Sequence, residues 1–217
     1  MTDALPLPPE YGGGRFEGFD VLRQRIHWDP ATRDAVERRL HPGPALRFFT
    51  MSEAAVARAL VDRLMAQNAD QSPYVDVLAM IDARLADDET DGWNYDTLPA
   101  DPDAWRASIA GLDSDARELH HRGFTECTED QQRAMIESVR TWATREWRGM
   151  PPTQLWSLWT RYAATAFYSH PLVWNEMGFP GPAYPRGYKN IGIDRPEPFE
   201  QADSDPRDDP LRREART

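Results

Sequence analysis

The stretch PTQLWSLWTRYAATAFY, residues 152–168, constrains the fold more than any other part of the sequence. A helix through it would be apolar over most of its circumference. Its apolar side chains are Leu155, Trp156, Leu158, Trp159, Tyr162, Ala163, Ala166 and Phe167. A helix that is apolar nearly all round is either central to a fold or covered by a partner. We therefore predict a central or partner-covered helix here.

Further helix starts follow from capping signals, in which a Ser, Thr or Asp side chain accepts a hydrogen bond from the first turn. These signals are Asp29-Pro30, Thr50-x-x-Glu53, Ser72-Pro73, Asp101-Pro102 and Thr128-x-x-Gln131. No run alternates apolar and polar residues as a half-buried strand does. The fold class predicted is all-α, an irregular helical bundle. We expect the helix that starts at Asp101 to break at Gly111 or Gly123.

Both ends of the chain are expected to lie outside this bundle, because prolines and glycines interrupt regular structure there. The predicted segments are an extended N-terminal arm (1–28), a helical domain (29–170), an extended Pro/Gly/aromatic-rich C-terminal ribbon (171–200) and a disordered tail (201–217). Four apolar side chains of the arm should be anchored: Phe16, Phe19, Ile26 and Trp28. We expect the ribbon to pack on the body or on a partner.

The charge of the chain disfavours two classes of partner. The 217 residues carry a formal net charge of -11, and the arginines are scattered among carboxylates. A nucleic-acid binder needs a basic stripe, and an anionic membrane surface attracts basic segments. No window of eighteen apolar residues occurs, so no membrane span is predicted. We expect no export signal at the N-terminus, because it has no basic region, twin arginine or apolar run, and the single cysteine excludes an intrachain disulfide.

A metal site is the first catalytic possibility to consider. Glu118-x-x-His121 has the spacing used in di-iron carboxylate bundles, but those sites need two such motifs and two further glutamates. Only one copy is present, in a polar stretch near a helix end. We therefore interpret Glu118, His120 and His121 as a solvated face or as partners of a helix C-terminus, and we predict no metal site.

Nucleophilic catalysis has no complete motif either. Cys127 precedes the capping Thr128, where a thiol pKa can fall, but no histidine motif surrounds it, and we interpret it as structural. No phosphate-binding glycine loop follows a strand. His170 leaves two interpretations open: it hydrogen-bonds a helix end, or it is presented to a cofactor or substrate pocket. We assign no catalytic or cofactor-binding residue to the chain.

The aromatic residues instead indicate a partner. Eight tryptophans are present, and Trp and Tyr are enriched where interfaces gain most of their binding energy. Four of the tryptophans are at core spacings: Trp105, Trp142, Trp156 and Trp159. Trp174, Tyr184 and Tyr188 are not at helical spacing, so we predict that they bind a partner. The full predicted partner-binding set is Tyr168, His170, Trp174, Phe179, Tyr184, Arg186 and Tyr188.

The segment TAFYSHPLVWNEMGFPGPAYPRGY, residues 165–188, resembles the end of the gluconate 2-dehydrogenase subunit 3 family. The matching features are the helix MSEAAVARALVDRLM, then Thr165 with Phe167 and Tyr168, then Trp174 and the run Gly178-Phe179-Pro180-Gly181. The resemblance covers roughly residues 48–188. Two features depart from the family: a twin-arginine signal is absent, and His170-Pro171 stands where many members have a Gly-Gly-Asn turn.

The resemblance implies a small, non-catalytic subunit that binds and stabilises a larger flavoprotein and assists its maturation. That partner would be of the glucose-methanol-choline oxidoreductase type, would carry FAD, and would oxidise a hydroxyl group of a sugar or polyol. A cytochrome with haem is a possible third member of the complex. We expect the chain to stay in the bacterial cytoplasm unless it is exported together with its partner. Two alternatives stay open: a stand-alone helical binding module and a metalloenzyme that uses Glu118 and His121.

Overall fold

A computed structural model describes residues 16, 18–40, 45–68, 74–142, 146–190, 192 and 195–201. The helices are a 3-10 helix Val21–His27, α1 Pro30–Leu40, α2 Met51–Leu64, α3 Val77–Ala86, α4 Asp101–His120, a 3-10 helix Phe124–Glu126, α5 Glu129–Arg140, α6 Pro152–Tyr168 and α7 Pro171–Met177. No β-strand occurs in these ranges, and an isolated antiparallel bridge joins Trp147 and Met150. The predicted all-α class is confirmed. No helix in the described ranges has the length and hydropathy of a bilayer-spanning segment.

The chain divides into two compact units. The smaller unit combines both ends of the chain, Met1–His41 and Tyr168–Thr217, and the larger unit is Pro42–Phe167. Of the predicted disordered tail, only Gln201 lies within the described residues.

In the larger unit, α2 packs against α3, α4 and α5. Helix α6 is joined to α4 by buried polar contacts within an aromatic core. The indole N–H of Trp159 donates to Ser108 Oγ over 2.9 Å, and the Tyr162 hydroxyl donates to a carboxylate oxygen of Asp101 over 2.7 Å. Each of these polar atoms is satisfied, as the interior requires.

Two predicted capping boxes are present. The Thr50 hydroxyl accepts from the Glu53 amide at the start of α2, and the Thr128 hydroxyl accepts from the Gln131 amide at the start of α5. The predicted start at Ser72-Pro73 is wrong, because α3 begins at Val77 with Asp76 as its cap. Residues 72 and 73 themselves lie outside the described residues.

Neither glycine breaks α4, contrary to the prediction, and the helix runs unbroken from Asp101 to His120. The missing side chain of Gly111 leaves room for the Trp147 indole, which packs onto it. A Cβ at Gly111 would lie 2.6 Å from Cη2 of that indole. Gly123 follows the helix end. The predicted core position of Trp142 is also wrong, since its side chain is 41% exposed just beyond the end of α5.

The predicted extended segments at both ends contain short helices. Pro171–Met177 is α-helical, because His170 caps it, Pro171 occupies its first turn, and Gly178 ends it in the left-handed region with φ of 67°. Val21–His27 is a 3-10 helix capped by Asp20. Ile26, predicted to be anchored, is 73% exposed on this short helix.

Asp82 fixes the entrance to α2. Its side chain is buried, and its carboxylate accepts from the backbone amides of Arg47, Phe48 and Phe49 over 2.6, 3.0 and 2.9 Å. One side chain on α3 therefore satisfies three consecutive N–H groups immediately before the Thr50 cap.

We expect Asp82→Ala to lower the free energy of unfolding of the full chain by about 3 kcal/mol, because it leaves the buried Phe49 amide and the partly buried hydrogen bonds of Arg47 and Phe48 without their acceptor. Urea denaturation followed by circular dichroism measures the change. Asp87→Ala is the control: it removes an exposed ion pair with Arg47, which solvent screens, and should change the free energy of unfolding far less than Asp82→Ala does. Equal losses in the two variants would contradict this role for Asp82.

Candidate partner-binding surface

The smaller unit has its own apolar core, built from both ends of the sequence. The buried side chains are Val21, Trp28, Val36 and Trp174, and Phe19 and Leu22 pack against them. Trp174 is 4% exposed, and its indole N–H donates to the Tyr168 carbonyl over 2.7 Å. Trp174 therefore fills the core of this chain and presents almost no surface to a partner.

Two hydrogen bonds join the ends of the chain within this unit. The backbone N–H of Val21 donates to Oδ1 of Asn175 over 2.7 Å, and the indole N–H of Trp28 donates to the Pro182 carbonyl over 3.0 Å. Each bond spans 154 positions of sequence. The N-terminal segment is thus fixed to α7 and to the residues that follow it.

The motif Gly178-Phe179-Pro180-Gly181 lies against the N-terminal segment. A Cβ at Gly178 would lie 2.7 Å from the ring of Phe16, and a Cβ at Gly181 would lie 2.7 Å from Cζ2 of Trp28. Both glycines also have positive φ, 67° and 76°. Only glycine allows this backbone conformation together with so close an approach. We call residues 178–182 together with Phe16, Val21 and Trp28 the clasp.

Beyond the clasp the chain folds back on itself. The buried carboxylate of Glu197 accepts from the backbone amides of Lys189 and Asn190. The ring of Phe199 lies 5.9 Å from that of Tyr188. The predicted ribbon is therefore anchored to its own unit through specific contacts.

The exposed side chains among the predicted partner-binding residues are all aromatic. The exposed fractions are 54% for Tyr168, 37% for Phe179, 64% for Tyr184 and 59% for Tyr188. Met177 and Ile26, which the sequence did not suggest as partner contacts, are also exposed in this unit, at 48% and 73%. These exposed apolar side chains of the smaller unit form the candidate partner-binding surface.

His170 is 5% exposed, and its Nδ1 accepts from the Leu172 amide over 3.2 Å. This contact supports the interpretation in which His170 hydrogen-bonds a helix end. The end concerned is the start of α7, which follows His170, and not the end of α6. The burial of His170 gives it little access to a partner's pocket.

The residues of the metal hypothesis have protein partners in the larger unit. Glu118 accepts from Nη2 of Arg148 over 2.8 Å, and Nδ1 of His120 lies 3.3 Å from Nε2 of Gln131. His121 lies just beyond the end of α4, in the left-handed region with φ of 55°. Glu118 and His121 therefore do not share a regular helical face. Within the described ranges, no three His, Cys, Asp or Glu residues are grouped to hold a metal ion. Cys127 is buried, and burial raises the pKa of its thiol.

The clasp can be tested with two glycines that differ in one respect. Gly181 and Gly187 both have positive φ, but a Cβ at Gly187 would meet no atom within 4 Å. We expect Gly187→Ala to destabilise the chain by about 1 kcal/mol, for the backbone alone. Gly181→Ala should cost about 3 kcal/mol, because the clash with Trp28 is added.

Hydrogen exchange of the Val21 amide reports the smaller unit directly. Its exchange should accelerate strongly in Gly181→Ala and only slightly in Gly187→Ala. Identical exchange rates in the two variants would show that the close approach of Gly181 to Trp28 does not stabilise this unit.

Comparison with known proteins gives one match. The family model described as gluconate 2-dehydrogenase subunit 3 matches residues 51–181, more than half of the chain. The match ends at the second glycine of the clasp motif. No curated protein and no solved structure matches. On the strength of the family model, the chain belongs to the gluconate 2-dehydrogenase subunit 3 family.

Proposed function

We propose that this chain is a non-catalytic accessory subunit that binds and stabilises an FAD-dependent dehydrogenase of the glucose-methanol-choline type. The family match over residues 51–181 carries the proposal, because the family is named as the third subunit of gluconate 2-dehydrogenase. A subunit family implies a complex of several chains. The particular partner, its maturation by this chain and the oxidation of a sugar or polyol hydroxyl are parts of the proposal.

The exposed aromatic side chains support the binding role. Tyr184 and Tyr188 are both more than half exposed, although each carries a large apolar ring. Tyrosine combines a large contact area with a polar group, and it is enriched at interface hot spots. The contacts of Tyr188 and Glu197 with their neighbours hold this segment in place before a partner arrives, which lowers the entropy lost on binding.

The helical fold supports the assignment of the cofactor to the partner. Dinucleotides such as FAD are commonly held at the carboxyl ends of parallel strands, next to a glycine-rich turn. The described part of this chain contains helices and no sheet. In the proposed complex, FAD belongs to the large subunit, haem belongs to a third subunit where one is present, and this chain contributes protein contacts.

Co-expression with the flavoprotein encoded nearest to this chain tests the proposal. We expect the two proteins to elute as one complex with flavin absorbance, and the flavoprotein produced alone to be less soluble or less active. If the proteins elute separately, and the flavoprotein alone is equally soluble and active, the proposed function is wrong.

We also expect the double variant Tyr184→Ala and Tyr188→Ala to bind the flavoprotein at least about tenfold more weakly, because two exposed anchors are removed. The matched control is Leu119→Ala, which removes a side chain that is 64% exposed on α4 in the larger unit. Calorimetric titration measures both affinities. An equal effect of the control would locate the contact elsewhere.

A further inference from the structure

Residues 87–100, which we call the α3–α4 loop, connect two helices of the larger unit without any helix or strand of their own. The loop has fourteen residues, because α3 ends at Ala86 and α4 begins at Asp101. Connections of this length without regular structure are uncommon in compact domains and often carry a function. The loop therefore invites a search for a binding role.

Side-chain contacts fix the α3–α4 loop to the helices beneath it. The carboxylate of Asp91 pairs with Arg84 of α3 and with Arg161 of α6. The hydroxyl of Tyr95 donates to Oγ of Ser157 on α6 over 3.2 Å. A loop that is held in place before a partner arrives loses less entropy on binding.

Trp93 is the large apolar side chain that this loop exposes. Its indole is 48% exposed. The Arg161 guanidinium lies 4.5 Å from the centre of the ring, and the Tyr95 ring packs against it at 87° with the ring centres 5.2 Å apart. The indole is thus oriented by its neighbours and still faces solvent. Exposed tryptophans of this kind are enriched at interface hot spots.

The charge of the α3–α4 loop is strongly negative. It contains five acidic side chains and no basic one. Asp87 and Asp91 are paired with arginines. Asp88, Glu89 and Asp96 are exposed and form no ion pair with any residue that the structure describes. Three uncompensated carboxylates therefore lie within five sequence positions of Trp93, and their field attracts a cation.

A Lys or Arg side chain satisfies both features of this surface. Its charge pairs with the carboxylates, and its alkyl stem or guanidinium packs on an indole. An acidic partner surface would be repelled, and a purely apolar one would remove water from the carboxylates without replacing it. The combination of an exposed Trp93 with unpaired carboxylates thus favours a basic partner surface.

We propose that Trp93, together with the carboxylates of Asp88, Glu89 and Asp96, docks a Lys- or Arg-bearing surface of the flavoprotein. The inference rests on the proposed function and adds a contact on the larger unit to the one proposed at Tyr184 and Tyr188. Here Trp93 supplies the apolar anchor, and the carboxylates supply the preference for basic side chains.

The anchor is tested by calorimetric titration of the flavoprotein with Trp93→Ala. We expect binding to weaken by about 30-fold, as for loss of an interface hot spot. Trp142→Ala is the matched control: it removes another tryptophan of the larger unit, 41% exposed, and its affinity should stay within about twofold of wild type. Circular dichroism verifies that both variants keep the helical fold. Equal effects of the two variants would overturn the role of Trp93.

The charge preference is tested by the double variant Glu89→Gln and Asp96→Asn. At low salt we expect flavoprotein binding to weaken by about threefold, because exposed ion pairs are individually weak. At high salt the variant should match wild type, because salt already screens these charges. The control is Asp130→Asn with Glu137→Gln, which removes two exposed acidic charges from α5. An equal effect of the control, or a loss that salt does not reduce, would overturn the proposed charge pairing.

A probe without the flavoprotein tests the recognition itself. The indole N–H resonance of Trp93, assigned as the one missing from Trp93→Ala, is followed by NMR in the full-length chain. We expect a blocked tri-arginine peptide to shift it, with a smaller shift in Glu89→Gln/Asp96→Asn, and a blocked tri-glutamate peptide to leave it unchanged. No shift with tri-arginine, or equal shifts with both peptides, would overturn the preference for basic side chains.

The two probes also separate this inference from the proposed function. If the wild-type chain binds no flavoprotein, the proposed function fails, while the peptide titration still decides whether the α3–α4 loop recognises basic side chains. If the flavoprotein binds wild type and Trp93→Ala equally well, the accessory role stands and the assignment of this loop to the flavoprotein is wrong.

Discussion

The smaller unit depends on the close approach of Gly181 to the indole of Trp28. At this point the backbone after α7 comes near enough to the N-terminal segment that a methyl group could not be inserted. The approach brings the Trp28 indole N–H within reach of the Pro182 carbonyl. The nearby bond from the Val21 amide to Asn175 depends on the same alignment of the two ends. Forming one unit from the two ends of a chain costs loop-closure entropy, and these buried contacts offset that cost.

This packing decides which aromatic residues remain for a partner. Trp174 fills the core, and His170 caps α7, so neither presents much surface. Tyr184, Arg186 and Tyr188 follow the clasp, and they also follow the end of the family match at Gly181. The matched residues thus include Gly178 to Gly181 of the clasp, whereas Tyr184, Arg186 and Tyr188 belong to the part of the chain that the family model does not match.

The sequence predicted local features well, since their causes lie within a few residues. The capping boxes at Thr50 and Thr128 need only a hydroxyl and a side-chain acceptor three positions later. The same logic would have predicted α7: His170-Pro171 is a cap followed by a first-turn proline, as at Asp29-Pro30. The prediction of an extended ribbon from residue 171 rests instead on the prolines and glycines of the whole segment, which interrupt regular structure further along it.

Features that depend on distant residues could not be predicted in this way. Gly111 resembles a helix breaker until Trp147, 36 positions later, is placed against it. Trp174 resembles an exposed anchor until Val21 and Trp28 are placed around it. The Arg186 guanidinium is held by a hydrogen bond to Gln24 and by the ring of Phe199, and these two residues lie on opposite sides of Arg186 in the sequence. No periodicity encodes such contacts, so only the structure distinguishes the core aromatics from the exposed ones.

The central claim is that this chain is an accessory subunit and that aromatic residues of its smaller unit contact the flavoprotein. Hydrogen exchange of the full-length chain, measured alone and in the presence of the flavoprotein, tests it most directly. The account predicts that the flavoprotein slows exchange of the backbone amides around Tyr184–Asn190. Unchanged exchange there, with slowed exchange confined to α2–α5 or with no change anywhere, would contradict it.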